Sequence, residues 1–258
     1  MRQLYILATI MLQYYCGTGG GRRARIVGGT DSRRAEFPWA ASVWRQGAHQ
    51  CGATVLSDRW LLTAGHCVCS GAGCQCIPFF LLKLTNQNSR CNKRGSNDVA
   101  LLKTANQLQW SSDLRPACLP QALAPDYSGT LATVAGWGFT HEDRAKGSRP
   151  DILQKTDVMV VSNEECNQWY RSQGSRVQII ATQMCAGHEE GGRDSCWADS
   201  GGPLLVQESG RTTLVGVVST GSGCARARMP GIYTRVSRYT SWIVDSVSDG
   251  LRWYPRGE

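Results

Sequence analysis

The chain reads as an all-β protein closed by one C-terminal helix, and three observations carry that reading. Its apolar runs are short, partly β-branched and bounded by Gly, Ser or Pro, as in Trp60-Leu61-Leu62, Leu204-Leu205-Val206 and Leu214-Val215-Gly216-Val217-Val218. Such runs are the mark of buried strands. Glycine is abundant, at 29 residues, and nine tryptophans supply bulk to bury between tightly turned strands. Helical periodicity is scarce: only Tyr239 to Val247 can gather apolar side chains (Trp242, Ile243 and Val247) on one face. A chain of 258 residues forms one large all-β domain or two ordinary ones, with a real core in either case. No internal repeat or low-complexity linker divides it.

The N-terminus carries Arg2, an apolar stretch from Leu4 to Leu12, and small residues from Gly17 to Gly21. The stretch is too short to span a bilayer, so residues 1–19 read as a secretory signal peptide. No later segment is apolar enough to cross a membrane. Twelve cysteines point to an oxidising compartment, and the protein is expected to be secreted. The formal charge of +8 falls to +4 from Ile26 onward, because Arg2, Arg22, Arg23 and Arg25 precede that residue and no acid does. A heparin- or nucleic-acid-binding surface needs clustered cations, and only the stretch from Arg22 to Arg34 comes near.

Three short motifs carry chemistry. Thr63-Ala64-Gly65-His66-Cys67 comes first, Asn97-Asp98-Val99-Ala100-Leu101-Leu102 second, and Asp199-Ser200-Gly201-Gly202-Pro203 third. Each alone has an ordinary explanation as a packed histidine, a capping acid or a glycine-rich turn. Together they supply a hydroxyl nucleophile, an imidazole to take its proton and a carboxylate to orient that imidazole. The order His…Asp…Ser differs from those of subtilisins and α/β-hydrolases. A fourth motif, Arg25-Ile26-Val27-Gly28-Gly29, accompanies them. With these four motifs the chain resembles the trypsin/chymotrypsin family of serine endopeptidases.

The resemblance implies two packed antiparallel β-barrels of the six-stranded type with a C-terminal helix. It implies an activation peptide at 20–25 and a protease domain at 26–258. Cutting after Arg25 would free the amino group of Ile26, which in the family pairs with the carboxylate beside the nucleophile, here Asp199. It assigns His66, Asp98 and Ser200 as the catalytic residues and the N–H groups of Ala198 and Ser200 as oxyanion donors. Asp194 falls at the base of the primary pocket, with Gly221 and Gly231 leaving room for a long side chain, so substrates with Arg or Lys before the scissile bond are implied. Ser219 matches a serine that bonds near the aspartate, and the Ser219–Gly221 segment resembles the strand that pairs with extended substrate. Thr220 stands where the family has tryptophan, so the neighbouring subsites should be wider and less apolar. The implied disulfides are Cys51–Cys67, Cys166–Cys185 and Cys196–Cys224. A further family bridge has no counterpart, because Ala135 and Val206 occupy both its positions. Cys118 resembles the cysteine that tethers a propeptide, and Cys16 is the only propeptide cysteine.

The implied partners are protein or peptide substrates, an activating protease and protein protease inhibitors, with no nucleic acid, membrane, cofactor or metal; a monomer is expected. Two departures stand out. Ala198 replaces the usual glycine and puts a methyl at the oxyanion site. Only 31 residues separate His66 from Asp98, fewer than the family usually has, and no calcium loop is recognisable among them. That segment holds Cys69, Cys74, Cys76 and Cys91 and one strand-like run, Phe79-Phe80-Leu81-Leu82. Local disulfides are favoured there over a zinc site. These features predict an enzyme slower than its relatives; the competing reading is a regulatory or binding homologue with little turnover.

Overall fold

A computed structural model describes residues 16–18, 25–70, 75–76, 82–84 and 97–247; within it, 25–28, 69–70, 75–76 and 82–84 are described by their backbone alone. The first half contributes β1 (Arg25–Asp31), β2 (Ala40–Arg45), β3 (Ala48–Val55) and β4 (Trp60–Thr63). A 3₁₀ turn at Gly65–Cys67 follows, then β5 (Cys69–Ser70), β6 (Gln75–Cys76), β7 (Leu82–Leu84) and β8 (Ala100–Thr104). The second half contributes β9 (Leu131–Gly136), β10 (Gln154–Val161), helix α1 (Asn163–Ser172), β11 (Gln183–Gly187), β12 (Pro203–Glu208), β13 (Arg211–Thr220) and β14 (Gly231–Arg235). A second 3₁₀ turn at Val236–Arg238 leads into helix α2 (Thr240–Val247).

The strands form two main antiparallel sheets. One runs β2-β3-β4-β8-β7; the other runs β1-β10-β11-β14-β13-β12-β9, and β9 returns to pair with β10. Six strands of the second sheet therefore close into a barrel, with β1 as an extra strand outside it. The predicted all-β class and C-terminal helix are both present, and the three apolar runs singled out in the sequence became β4, β12 and β13. The run Phe79–Leu82 lies outside the described residues except for Leu82, which opens β7.

Helix α1 was not expected. Ser162 caps it by accepting a hydrogen bond from the Glu165 N–H at 3.1 Å, and Glu164 and Glu165 fill the first turn. Carboxylates there complement the positive end of the helix dipole. The helix buries Cys166 and Tyr170, one turn apart, against the second barrel.

Trp39, Trp60, Leu62, Leu101, Leu205, Leu214 and Ile243 join strands of both sheets and α2 in one core. A second core of Val134, Val158, Met184, Leu204 and Tyr233 fills the closed barrel. The shared core fixes the two sheets against each other, and the motif residues sit where their strand ends meet.

Candidate active site

The pairing of β4 with β8 brings the first two motifs together. Thr63 lies opposite Ala100, so the turn after β4 carrying His66 reaches the segment before β8 carrying Asp98. The Asp98 carboxylate, on a residue only 9% exposed, accepts three hydrogen bonds: from the His66 backbone N–H at 2.8 Å, from His66 Nδ1 at 2.7 Å and from the Ser219 hydroxyl at 2.5 Å. The second half of the chain holds the motif, through Thr234 Oγ1 of β14 donating to the Asp98 carbonyl and the Tyr239 hydroxyl donating to Asn97 Oδ1. Burial alone would raise the Asp98 pKa, but His66 and Ser219 outweigh it and hold the carboxyl below its usual range. Burial likewise pulls His66 down, and the Asp98 hydrogen bond and charge more than reverse this, leaving the imidazole above its ordinary value. The His66 side chain stays 45% exposed, open to an incoming group.

Ser200 sits on a tight turn entering β12. Gly201 has φ of +81°, and a Cβ there would lie 2.2 Å from Thr63 Oγ1, so no other residue fits without displacing β4. The Gly52 N–H donates to the Ser200 carbonyl at 2.8 Å, and the Cys51–Cys67 bridge ties β3 to the His66 turn beside it. Both residues are thus moored to the same strand. Among the described residues no hydrogen bond joins Ser200 Oγ to His66 Nε2; such contacts are often loose without substrate and tighten on binding. Ala198 adopts φ of +74°, the left-handed region that disfavours any Cβ.

Asp194 lies 2% exposed behind the Cys196–Cys224 bridge, accepting from the backbone N–H groups of Ser195 at 2.8 Å and Ala225 at 3.1 Å. Gly221 and Gly231 face one another: a Cβ on Gly221 would come within 4.0 Å of Gly231 Cα, and one on Gly231 would come 2.6 Å from Asp194 Oδ1. A side chain at Gly231 would therefore cover the carboxylate. Burial, with the like charge of Asp199 added to it, pushes Asp194 up to about 7 against the pull of its two amide donors.

A model of the Trypsin family matches residues 26–243. The chain belongs to the trypsin family. By kind it is a serine protease domain, a hydrolase, and the matched span begins one residue after Arg25.

Within this trypsin-family domain, the three disulfides implied by the sequence are all formed, as Cys51–Cys67, Cys166–Cys185 and Cys196–Cys224, and a fourth joins Cys16 to Cys118. Cys69 lies opposite Cys76 across the β5–β6 pairing, while Cys74 and Cys91 lie outside the described residues. Ala135 and Val206 are both buried. Among the described residues one group has metal-ligand proximity, Cys51, His66 and Cys67, and both its sulfurs are committed to a disulfide. Arg25 and Ile26 form the start of β1, where Arg25 pairs with Lys155 of β10; their side chains lie outside the described set. Asp199 is fully buried and accepts from the N–H groups of Gly138 at 2.7 Å and Cys196 at 2.9 Å, with no cation beside it among the described residues. Burial lifts it to about 6 despite those donors.

Sequence reading missed two residues at this site. They are His49 on β3, whose ring bonds to the Ala198 carbonyl, and Ser42 on β2, whose hydroxyl bonds to the other ring nitrogen of His49. The signal available was slight: His49 is one of only four histidines and lies two residues before Cys51.

Proposed function

We propose that the protein is a secreted serine endopeptidase that cuts after Arg or Lys and is matured by cleavage after Arg25. The observation that carries this reading is the Asp98–His66 pair, held by Ser219 and left open to solvent within reach of the Ser200 turn. His66 Nδ1–H is held by Asp98, so Nε2 carries the lone pair that takes the Ser200 proton. The Ser200 oxygen then attacks the substrate carbonyl, and the N–H groups of Ala198 and Ser200 receive the developing oxyanion. His66 returns the proton to the leaving amine, and water attacking the acyl-enzyme by the same route restores Ser200.

Asp194 would pair with the cationic end of an Arg or Lys side chain passing between Gly221 and Gly231. Asp199 would pair with the Ile26 ammonium once a protease has cut after Arg25. Among the described residues, four disulfides and the absence of a membrane-crossing helix are compatible with an extracellular site. The Cys16–Cys118 bridge favours a leader ending before Cys16 over the 1–19 boundary. Protein protease inhibitors are natural partners, and nothing calls for a second copy of the chain.

The left-handed Ala198 and the unmade Ser200–His66 bond favour a second reading, a homologue of low turnover that binds rather than cuts. Cleaved protein should be incubated with an arginyl phosphonate and weighed intact. The endopeptidase reading expects one adduct, absent from Ser200→Ala; an unlabelled protein supports the second reading.

A further inference from the structure

Ala198 bears the least comfortable backbone in the site, and something outside its own loop holds it. His49, 8% exposed, places Nε2 at 2.9 Å from the Ala198 carbonyl and Nδ1 at 2.6 Å from the Ser42 hydroxyl. A carbonyl only accepts, so Nε2 carries the ring proton and Nδ1 accepts from Ser42. Burial holds the His49 pKa below its ordinary value, which keeps this single tautomer neutral. The ring packs 6.0 Å from that of Trp137, and Arg149 donates to the His49 carbonyl at 2.7 Å. A residue of the first sheet is thereby fixed from both sides and grips the second half of the chain.

We propose that Ser42 and His49 form a latch that holds Ala198 in its left-handed conformation, so that its N–H faces the reacting carbonyl. They are positioning residues and touch no substrate. The inference rests on the endopeptidase reading. A left-handed alanine is disfavoured roughly five- to thirty-fold against the ordinary regions, whereas glycine takes that conformation freely. The latch matters because this chain has alanine there. Anchoring the carbonyl fixes the peptide that follows Ala198, which leaves the alanine fewer ways to relax to negative φ while the His49 bond is kept.

A double-mutant cycle tests the coupling. His49→Ala and Ser42→Ala are each made in the Ala198 and Ala198→Gly backgrounds, and the cleaved full chain is assayed on an arginyl peptide amide, normalised by phosphonate titration. With Ala198 present, His49→Ala should lower kcat roughly ten-fold with KM little changed. In the Ala198→Gly background the loss should shrink to about two-fold, since glycine needs no latch. Equal losses in both backgrounds, or a loss carried by KM, overturn the proposal. If His49→Ala folds poorly, Ser42→Ala runs the same cycle with the ring retained. Crystal structures of the variants decide independently of turnover. Ala198 returning to negative φ without its latch supports the proposal, and an unchanged positive φ sinks it even if the parent proves inactive. Failure of the endopeptidase reading would appear separately, as absent turnover and labelling in the parent.

Discussion

Asp98 on one side of the site and the pair Asp194 and Asp199 on the other are buried alike, at 9%, 2% and 0% exposure, yet they depart from the ordinary carboxylate range in opposite directions. Asp98 has an imidazole and a serine hydroxyl built against it and is held low. Asp194 has two backbone amides and a long 3.5 Å contact from the Ser195 hydroxyl, Asp199 has two backbone amides, and burial drives them up to about 7 and about 6. A buried charge is costly unless a counter-charge arrives. The comparison teaches that the Asp98 corner carries its own partners within the fold, whereas the other two carboxylates lack cations among the described residues. On the proposed function these cations are the substrate's Arg or Lys and the new amino terminus.

The largest expected effect breaks the Asp98 side. Asp98→Asn should lower kcat on the order of 10⁴-fold, and it should also move the acid limb of the pH–rate profile. His66 acts as a base only when neutral, and Asp98 raises its pKa, so activity should appear as pH rises through a midpoint above that of an ordinary histidine. Without the carboxylate that midpoint should fall. A midpoint that stays put would mean that Asp98 does not govern His66.

A smaller effect belongs to the pocket. Asp194→Ser removes one partner of what becomes a buried charge pair, a loss worth about 2–5 kcal/mol. Specificity profiling should show kcat/KM for arginyl substrates falling by roughly 10²-fold or more, while Ser200 still reacts with a small phosphonate. A native profile dominated by Phe, Tyr or Leu would show Asp194 to be misassigned.

The smallest effect is thermodynamic and concerns Asp199. An acid whose pKa is raised in the fold contributes stability that is fully present below its unfolded value and lost as pH rises through the folded one. The uncleaved Arg25→Gln protein should therefore lose melting temperature as pH rises through about 6 for Asp199 and about 7 for Asp194. Cleaved protein, with Asp199 paired to Ile26, should lose less, and comparing the two forms at each pH cancels the titrations they share. Identical slopes would remove the activation switch, as would full peptidase activity in uncleaved Arg25→Gln.

The proposed chemistry could be read from the sequence because it demands particular residue types in short contexts. His66, Asp98 and Ser200 each sit in a motif, and the strand runs needed only period and punctuation. Helix α1 escaped because its buried face rests mainly on Cys166 and Tyr170 and gives weak periodicity; its Ser162-to-Glu165 cap was the better sign. His49 was illegible for a deeper reason. Its partners lie 7 and 149 residues away, so nothing local marks it, and only the packing of one sheet on the other's loop gives it a task.

Cys16, 3% exposed, is bridged to Cys118, and the adjoining Gly17 is stitched by backbone hydrogen bonds to Pro116 and Thr212. A cut after Arg25 would therefore sever the backbone without releasing anything. The nine residues after Cys16, up to Arg25, can reach no more than about 30 Å, so the severed leader would stay on a short tether to the domain for the life of the molecule. Dilution could not part the two; only a reductant could. Maturation on this plan is a change of connectivity within one covalent object, and its extent is set by the activating protease rather than by the dissociation of a fragment.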